Sequence, residues 1–449
     1  MNRFLKNLSI EALTPMQEEA RIAIGSGRNV VLLAPTGTGK TLAYLLPLAE
    51  RTPRKPFLVI CPTRELAQQS CAVWKQMRTG IPAMSLHGGR PAMDEHRLLR
   101  ALQPTALFAT PGRINDHLDK GNIDPTALQT LVIDEFDKCL ELGFQEAMKR
   151  ILERLSGLTQ TVLLSATDAT AIPDFLPEGS ARAMRLDFLS GAAELRARVK
   201  NKYVRSPERD KLVTLSATLT EVLRRPVADA PAPQAIVFVS HRESAERVGE
   251  WLSRQGYAGE IYHGGMEQEL RERALFKFRA GSANILIATD LAARGLDIPD
   301  VAAVIHYHLP LREEDYVHRS GRTARWNRTG DNYFILGPSE IMPQFVPGEF
   351  EEVVLDADLL SGKASPKPLL PAWTSIYIGR GRKQKLSRGD VVGFFCKQGG
   401  LRATDIGRID IYDHHAYVAL RTSCAAEALR QVAGEKIKGM KTLVEKMRR

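Results

Sequence analysis

Short runs of consecutive apolar residues recur in the first part of the chain, and each is followed by a longer stretch of helical character. Five such runs lie at residues 30–34, 57–61, 106–110, 131–134 and 161–165. Strands of a parallel sheet show no alternation of apolar and polar residues, because helices cover both faces of the sheet. The pattern therefore predicts an α/β domain built on a buried parallel sheet.

The same pattern returns in the second part of the chain, with apolar runs at residues 235–239, 284–288 and 301–307. Residues 189–201, between the two sets, include few large apolar side chains, which is typical of a linker. We therefore predict two domains of the same class separated by a linker, with bounds at 1–189, 190–202 and 203–355.

The last part of the chain has a different rhythm. Residues 356–371 contain three prolines among small polar residues and predict a second linker. Within 372–449, strands are predicted at 374–378, 406–412, 416–421 and near 441–446, and helices at 389–398 and 424–434. The order βαββαβ predicts a small α+β domain after two tandem α/β domains with parallel sheets.

The composition excludes several classes of protein. The chain has 449 residues, of which 44% are hydrophobic and 25% charged, as in ordinary globular proteins. No run of 18 apolar residues predicts a transmembrane helix, and the first residues do not resemble a secretory signal. We expect a cytoplasmic protein with reduced thiols and no zinc site, because no CxxC pair occurs among Cys61, Cys71, Cys139, Cys396 and Cys424.

The net charge of +10 is concentrated at one end of the chain. Residues 372–449 carry 16 Lys and Arg against 7 Asp and Glu, whereas the first 371 residues carry 46 against 45. A basic terminal block indicates contact with nucleic acid or an anionic membrane, and a solvated basic tail is an equal alternative. The membrane is the weakest of these choices, because the lysines lie among strand and helix signals without an aromatic amphipathic face.

A phosphate-binding loop follows the first apolar run. The sequence APTGTGKT occupies residues 34–41 and precedes a helical stretch. Strand, glycine-containing loop and helix allow backbone N–H groups to bind a triphosphate, while Lys40 reaches the β and γ oxygens and Thr41 offers a hydroxyl to Mg²⁺. The backbone of the loop is contributed by Thr36, Gly37, Thr38 and Gly39.

Carboxylates follow another apolar run, in LVIDEFD at residues 131–137. At the carboxyl end of a buried strand, Asp134 can hold Mg²⁺ and Glu135 can orient an attacking water. The tripeptide SAT, at residues 165–167, also ends a strand, but it carries little weight alone because Ser and Thr commonly cap helices.

The sequence YVHRSGRTAR, residues 316–325, brings three arginines and a histidine into the second domain. A solvated helix end is one interpretation. The other is that the arginines stabilise charge that builds on a transferring γ-phosphoryl group. On a separate domain, they would make hydrolysis depend on domain closure.

In this order, the motifs over residues 5–336 resemble those of DEAD-box RNA helicases. Further matches to the family are TPMQ (14–17), PTREL (62–66), HGGR (87–90), TPGR (110–113), VFVS (237–240) and ATDLAARGLD (288–297). The resemblance implies two RecA-like domains with an RNA strand crossing both, and ATP and Mg²⁺ as cofactors.

The resemblance also implies individual roles. Gln17 would read adenine, Asp297 would approach the ribose, and Arg322 and Arg325 would act as arginine fingers beside the catalytic Lys40 and Glu135. The implied groups that couple ATP to the domain interface are Asp137, Ser165, Thr167 and His318. The implied RNA contacts in the motor domains are Pro62, Thr63, Arg64, Gly88, Gly89, Thr110, Pro111, Gly112, Arg113, Gln268, Arg271 and Thr289.

Three positions depart from the family pattern. Phe136 stands where the family has alanine, and we expect its bulk beside the domain interface. Ser320 and Ala324 replace an aliphatic residue and a glycine. Phe4 lies at an unusual distance from Gln17, so the family's adenine-stacking aromatic role is not assigned to it.

The last domain resembles the RNA-binding domain of the DbpA group of these helicases, over residues 373–447. The resemblance implies an RRM-like fold that recognises a hairpin in large-subunit ribosomal RNA. Tyr377 and Tyr417 lie on the strands that stack bases in an RRM, but either can equally be a half-buried structural residue. Basic side chains are the stronger candidates for RNA contacts: Arg380, Arg382, Lys383, Lys385, Lys436, Lys438 and Lys441.

The leading hypothesis is an ATP-dependent RNA helicase that locally remodels ribosomal RNA during large-subunit assembly, addressed by its last domain. One alternative is a ribosomal-RNA clamp or chaperone whose ATP turnover is weakened by Phe136. A DNA-directed helicase is the third hypothesis, and the motifs PTREL, TPGR and HRSGRTAR favour RNA over it. The expected partners are RNA and pre-ribosomal particles, and no membrane.

Overall fold

The structure is a computed structural model. It describes residues 3–35, 37–51, 53, 55–89, 92–141, 143–167, 183–189, 199–224, 232–293, 298, 301–323, 330–361, 363–364 and 368–447. The described residues form two compact units, the first over 3–189 and the second over 199–447. No helix in the described ranges is long and apolar enough to cross a membrane.

The first unit contains a parallel sheet of seven strands in the order β3-β4-β2-β5-β6-β1-β7. Every residue of β1, β2, β4, β5 and β6 is buried, which explains their unbroken apolar runs. The strands are β1 Val30–Leu33, β2 Phe57–Ile60, β3 Ala83–Leu86, β4 Ala106–Ala109, β5 Thr130–Ile133, β6 Gln160–Ser165 and β7 Met184–Asp187.

Helices cover both faces of this sheet and enclose two apolar cores. Their bounds are α1 Arg3–Asn7, α2 Pro15–Gly25, α3 Lys40–Glu50, α4 Arg64–Gln76, α5 Ala92–Leu102, α6 Pro111–Asp119, α7 Phe136–Glu141 and α8 Gln145–Arg154.

The strand order divides the carboxyl edge of this sheet into two halves. The ends of β1, β5 and β6 lead into the phosphate loop, the carboxylates and SAT. The ends of β2, β3 and β4 lead into PTREL, HGGR and TPGR. Loops at the carboxyl ends of parallel strands form the binding edge of such sheets, so the ATP motifs and the predicted RNA motifs lie side by side.

The second unit begins with another parallel sheet of seven strands, in the order β10-β11-β9-β12-β13-β8-β14. The strands are β8 Val199–Arg205, β9 Ala235–Val239, β10 Gly259–Tyr262, β11 Ile285–Thr289, β12 Ala303–His306, β13 Gly330–Leu336 and β14 Phe350–Glu352. The helices are α9 Leu212–Arg224, α10 Arg242–Arg254, α11 Gln268–Arg279, α12 Asp290–Ala293, α13 Glu313–Ser320 and α14 Ala357–Leu360.

The same unit ends in an antiparallel sheet of four strands in the order β16-β17-β15-β20. The predicted βαββαβ order is confirmed, with one additional hairpin, β18–β19, before the last strand. The elements are β15 Trp373–Ile378, α15 Arg388–Lys397, β16 Ile406–Ile411, β17 Ala416–Arg421, α16 Thr422–Gln431, β18 Lys436–Ile437, β19 Met440–Lys441 and β20 Val444–Lys446.

One face of the four-stranded sheet packs on its own two helices, and the other packs on α11 of the preceding domain. Tyr417, which is 0% exposed, lies with Ala419 and Met447 against Phe276 and Ala280. The rings of Phe276 and Tyr417 are 5.2 Å apart. Tyr417 therefore faces neither RNA nor its own helices, but the second motor domain.

Within each predicted linker, some of the described residues belong to a regular element. Within the first, β8 begins at Val199, and residues 190–198 lie outside the described residues. Within the second, α14 forms a helix whose Leu359 and Leu360 pack on the core of the second sheet. Further along, the Leu369 carbonyl accepts a hydrogen bond from Asn284. Leu359 and Leu360, which precede the three prolines, therefore have an apolar surface to cover. Leu369 and Leu370, which lie between prolines, are 38% and 73% exposed, as expected of a linker.

Candidate active site and nucleic-acid interface

The phosphate loop joins β1 to α3 through a left-handed glycine. Gly39 has φ +86°, and a Cβ at this position would lie 2.3 Å from the Gln17 amide nitrogen. Lys40 begins α3 and is 8% exposed; its ammonium donates to the carbonyls of Ala34 at 2.6 Å and Pro35 at 3.4 Å. The loop thus holds its lysine inside the curve that a phosphate would enter.

Gln17 connects the start of α2 to this loop. Its amide oxygen accepts from the Thr14 backbone N–H at 3.0 Å, as part of a capping box. Its amide nitrogen donates to the Gly39 carbonyl at 3.2 Å. Gln17 therefore lies at the phosphate loop, and its role in reading adenine stays a prediction.

Asp134 follows β5 directly and is 3% exposed. The Tyr44 hydroxyl, on α3, donates to Asp134 Oδ2 at 3.2 Å. Burial raises the pKa of the Asp134 carboxyl, whereas the Lys40 ammonium and the Tyr44 hydroxyl oppose that change. A desolvated carboxylate beside a hydroxyl-bearing loop is the kind of ligand that suits a divalent cation.

Glu135 has a backbone conformation that is rare for a residue with a side chain. Its φ is +49°, in the left-handed region, and its side chain is 6% exposed. Its backbone N–H donates to Asp134 Oδ1 at 3.0 Å. Such conformations cost about 1–3 kcal/mol and are concentrated at functional sites, so this turn holds the glutamate at the strand end at a cost in stability.

The predicted coupling groups of the first domain lie in contact. Thr167 Oγ1 donates to Asp137 Oδ2 at 3.1 Å, and Ser165 Oγ accepts from the Thr167 backbone N–H at 3.1 Å. The SAT segment is therefore bound to the carboxylate motif by side chains. The role of these groups in coupling stays a prediction.

The expected position of Phe136 is wrong. Its side chain is 2% exposed and belongs to the apolar core beneath β5, together with Ile133 and Cys139. The residue begins α7, and the helix turns it inward, away from the surface. Phe4 is also buried in a core, which agrees with leaving the adenine-stacking role unassigned.

The predicted RNA contacts of the first domain lie at the ends of β2, β3 and β4. The Arg64 guanidinium lies 3.0–3.3 Å from the point where a Gly88 Cβ would stand, so a side chain there would require the arginine to shift by a few tenths of an ångström. Thr63 and Thr110 precede α4 and α6 as N-caps. The backbone N–H groups of two helix starts therefore lie at the same edge of the sheet, which favours phosphate binding.

In the second unit, His318, Arg319 and Arg322 are buried at the end of α13. Arg319 makes a bidentate ion pair with Asp290, at 2.6 and 2.7 Å, and donates to the His308 carbonyl. The sequence reasoning did not give Arg319 a role. The structure shows that it anchors α13 to the end of β11.

Ser320 departs from the family pattern within a buried polar network. Its hydroxyl accepts from Asn332 Nδ2 at 2.8 Å, and the same nitrogen donates to Asn201 Oδ1 at 3.1 Å. Asn201 in turn donates to the Tyr316 hydroxyl at 3.2 Å. The hydroxyl that replaces an aliphatic side chain is thus satisfied by neighbouring strands.

The predicted RNA residues on α11 are mainly bound to protein groups. Arg271 is buried, and its guanidinium donates to the Tyr262 hydroxyl at 3.0 Å and lies over that ring. Gln268 donates to Glu272 at 3.3 Å, and Thr289 ends β11. Their contact with RNA stays a prediction.

The predicted basic residues of the last domain gather into one surface, which we call the basic surface. It consists of the loop after β15 and the β18–β19 hairpin. Arg380 donates to the Lys441 carbonyl at 3.3 Å, and Lys438 donates to the Lys385 carbonyl at 2.9 Å. The basic surface comprises Arg380, Arg382, Lys383, Lys385, Lys436, Lys438 and Lys441.

Lys385 and Lys438 have left-handed backbones, with φ of +56° and +52°. Lys438 also forms an ion pair of 3.0 Å with Asp390, and the hydrogen bonds from Ser387 and Lys438 lower the pKa of Asp390 to about 2. The loop and the hairpin are therefore tied to each other and to α15, rather than being independent basic segments.

Some predicted site residues lie outside the described residues: Thr36, Asp297, Arg325 and Ala324. Within the described ranges, no group of three or more His, Cys, Asp or Glu is arranged to hold a metal. None of the five cysteines, all of which the structure describes, forms a disulfide, and burial raises the pKa of the Cys61 and Cys139 thiols well above their ordinary values.

Three family models match consecutive parts of the chain: the DEAD/DEAH box helicase at residues 14–174, the helicase conserved C-terminal domain at 215–327 and the DbpA RNA binding domain at 375–446. The ATP-dependent RNA helicase DbpA of Escherichia coli (strain K12) is 33% identical over 445 residues, which cover 97% of this chain and 94% of that protein. The chain belongs to the DEAD-box family of RNA helicases. The DbpA protein of Bacillus subtilis (strain 168) is 28% identical, covering 99% of this chain and 96% of that protein. The predicted family, the fold class and the RNA-stimulated ATPase are thereby confirmed, and the enzyme is an ATP-dependent RNA helicase of the DbpA type.

Solved structures of the family share the fold. Mss116p bound to single-stranded RNA and AMP-PNP has a TM-score of 0.67 at 25% identity, covering 80% of this chain and 77% of that chain. Saccharomyces cerevisiae Dbp5 bound to RNA and ADP BeF3 has a TM-score of 0.66 at 23% identity, covering 79% and 93%. Family membership favours RNA over DNA as the substrate.

Sequence reasoning missed Tyr44, which holds Asp134. A signal was present, because Tyr44 lies four residues after Lys40 and therefore on the same face of α3. It also missed Asp290, the partner of Arg319, although this carboxylate directly follows β11. An acidic residue after a buried strand was recognised at Asp134 and not at Asp290.

Proposed function

We propose that this helicase remodels large-subunit ribosomal RNA in the cytoplasm, and that the basic surface of its last domain supplies the address. The observation that carries the proposal is the difference in exposure between the two sides of that domain. The aromatic face of its sheet is covered by α11, whereas the basic surface is largely exposed. RNA recognition then depends on charge and shape at one end of the domain rather than on stacking across its sheet.

At several positions of the basic surface, the lysine side chain is available to RNA. The side chains of Lys383, Lys385 and Lys436 are exposed, and neutralising them would break no hydrogen bond that holds the domain together. Lysines that approach phosphate release counterions, so each contact adds affinity and salt dependence. Exposed Met440 and Leu443 adjoin the lysines and give the surface an apolar element for an unpaired base.

ATP hydrolysis is assigned to the first domain. Lys40 would contact the β and γ phosphates, and Glu135 would orient the attacking water. Thr41 and Asp134 would hold Mg²⁺, because hydroxyl and carboxylate oxygens are its preferred ligands and Asp134 is desolvated. The bound ion would neutralise charge on the phosphate oxygens.

The clamp or chaperone alternative rested on Phe136 disturbing the domain interface. Since its side chain fills the core of the first domain, that reason disappears. The carboxylates on either side of it, Asp134, Glu135 and Asp137, keep positions suited to turnover. The alternative of a clamp with weak turnover therefore loses its support.

The proposal is tested by RNA crosslinking in cells with the full-length protein. The test variant carries Lys383→Gln, Lys385→Gln and Lys436→Gln. The control carries Lys397→Gln, Arg430→Gln and Lys446→Gln, which remove the same charge from α15, α16 and β20. We expect a focused large-subunit signal for the wild type and the control, and its loss in the test variant. An unchanged pattern in the test variant would overturn the assigned address.

A further inference from the structure

A buried carboxylate lies behind the predicted RNA loops of the first domain. Glu95 is on α5 and is 1% exposed. Its Oε2 accepts from Arg113 Nε at 2.6 Å and from His117 Nε2 at 3.0 Å, both on α6. Its Oε1 accepts from the His87 backbone N–H at 3.5 Å, directly after β3. One side chain therefore joins two of the loops that are predicted to contact RNA.

The protonation of the two histidines follows from their partners. Since the Gly88 carbonyl accepts from His87 Nδ1 at 2.8 Å, that nitrogen carries the proton, and His87 Nε2 accepts from Gln68 at 2.9 Å. His117 Nδ1 accepts from Asn122 at 3.0 Å, so its Nε2 carries the proton that faces Glu95. Each ring is thus fixed in orientation by a partner on both of its nitrogens.

The network reaches a third loop through Gln68. This residue is on α4, which begins at Arg64 in the PTREL segment. The chain of hydrogen bonds runs from α4 through the His87 ring to the HGGR turn, and from that turn through Glu95 to α6. The three segments follow β2, β3 and β4, whereas the ATP-site residues follow β1, β5 and β6.

The carboxylate is ionised at neutral pH. Burial alone would raise the pKa of Glu95, but the hydrogen bonds from His117 and Arg113 and the charge of Arg113 outweigh it and lower the pKa below its ordinary value. A buried anion fixes the guanidinium more firmly than a neutral acceptor would, because charge-assisted hydrogen bonds are about twice as strong.

We propose that Glu95 is a positioning residue for RNA binding, which sets Arg113 and the HGGR turn in the arrangement that the RNA backbone meets. The inference rests on the proposed RNA contacts of Arg113 and Gly88. Glu95 itself does not touch RNA, since it is buried beneath both. Its loss would remove the hydrogen bond of 2.6 Å to Arg113 Nε and leave the guanidinium with the longer ion pair, of 3.6 Å, to Asp116.

The test measures the RNA concentration that gives half-maximal ATPase, together with kcat, in full-length variants. Glu95→Ala should raise that concentration about tenfold, because misplaced binding groups lose much of their effect, and kcat should stay within about twofold. Glu95→Gln keeps the shape and one acceptor, so its increase should be smaller. Asp331→Asn, which removes a carboxylate ion-paired to Lys202 in the second domain, is the control and should leave the RNA concentration unchanged.

Arg113→Ala separates this inference from the function on which it rests. If Glu95 acts through Arg113, adding Glu95→Ala to Arg113→Ala should weaken RNA binding by less than about twofold further. Weak binding by Arg113→Ala together with normal binding by both Glu95 variants would overturn the positioning role alone. Normal binding by Arg113→Ala would overturn the RNA contact, and the positioning role with it.

Discussion

The catalytic edge of the first domain and the basic surface of the last domain both bring charged side chains together, but by opposite means. At the catalytic edge, Lys40, Asp134 and Glu135 are 8% exposed or less, and backbone or side-chain partners hold them. On the basic surface, side chains such as Lys383 and Lys385 are exposed. Catalysis requires desolvated groups in fixed positions, whereas an RNA can be recognised through many weak charge contacts.

The two regions share one backbone feature, a left-handed conformation at residues that carry a side chain. Glu135 at the catalytic edge and Lys385 and Lys438 on the basic surface all have φ near +50°. A residue with a side chain pays a conformational cost in this region of about 1–3 kcal/mol. The surrounding structure must therefore enforce each turn, which indicates that position matters on the exposed surface as well.

The largest effect is expected at the catalytic edge, where a single substitution should abolish most ATP turnover and leave RNA binding intact. Glu135→Gln should lower RNA-stimulated ATP turnover by about 10³-fold, since a group that orients or activates water contributes about 10²–10⁴-fold, and RNA binding should persist. Steady-state ATPase and RNA anisotropy measure the two. Glu445→Gln, in β20, is the control and should alter neither. Turnover within tenfold of the wild type would remove Glu135 from the mechanism.

The second prediction concerns what supports the catalytic edge. Phe136→Ala should destabilise the first domain by about 3–5 kcal/mol, because it leaves a cavity in a packed core. Thermal and urea unfolding followed by a probe in that domain measure the loss. If stability stayed unchanged while RNA-stimulated turnover rose, Phe136 would act on coupling, as the sequence first suggested.

A smaller effect is expected when the hydrogen bond from Tyr44 to Asp134 is removed. Tyr44→Phe removes the hydroxyl that donates to Oδ2, and the Mg²⁺ concentration for half-maximal binding of a nonhydrolysable ATP analogue should rise by about three- to tenfold. Tyr257→Phe removes another buried hydroxyl, one bonded to Thr220 and Ser216, and should leave this concentration unchanged. Equal effects of the two variants would argue for a general loss of packing.

The smallest effect tests how the basic surface is held. Lys438→Ala should raise the pKa of Asp390 from about 2 towards its ordinary value, with the Ser387 hydrogen bonds retained. Because the folded pKa is the lower one, the stabilisation is present above about pH 4 and is lost as the pH falls towards 2. NMR titration of the carboxyl carbons measures the shift. Asp405, paired with Arg402, should titrate as before, and an unchanged Asp390 would show that Lys438 does not hold the turn.

The sequence predicted most of the fully buried strands, but it missed the largely buried β3 and β13 as well as the more exposed edge strands. Runs such as VVLL in β1 and AIVFV in β9 are buried along their whole length, so their pattern is unbroken. Strands at or near sheet edges, such as β7 with MRLD and β10 with GEIY, are partly exposed and mix polar with apolar residues. Periodicity cannot distinguish such segments from loops.

Contacts between distant segments explain what else the sequence could not predict. Tyr417 was recognised on a central strand, but its partner Phe276 lies on a helix of another domain. Glu95 was not identified at all, since Arg113 and His117 lie 18 and 22 positions away. The left-handed turn at Glu135 has no signal in composition. The order of the motifs predicted the chemistry of the site. Only the fold revealed the residues that hold the site in place.

The claim that RNA targeting is separate from catalysis is tested by comparing RNA activation of the ATPase in two proteins. These are the wild type and the variant Lys383→Gln, Lys385→Gln, Lys436→Gln. Two RNAs are required, a large-subunit ribosomal fragment and an unstructured strand of equal length. For the ribosomal fragment, the concentration for half-maximal activity should rise by about 10–100-fold as phosphate contacts are lost. For the unstructured strand it should stay the same, with kcat unchanged for both. Equal shifts for the two RNAs, or a fall in kcat, would contradict the separation of address from catalysis.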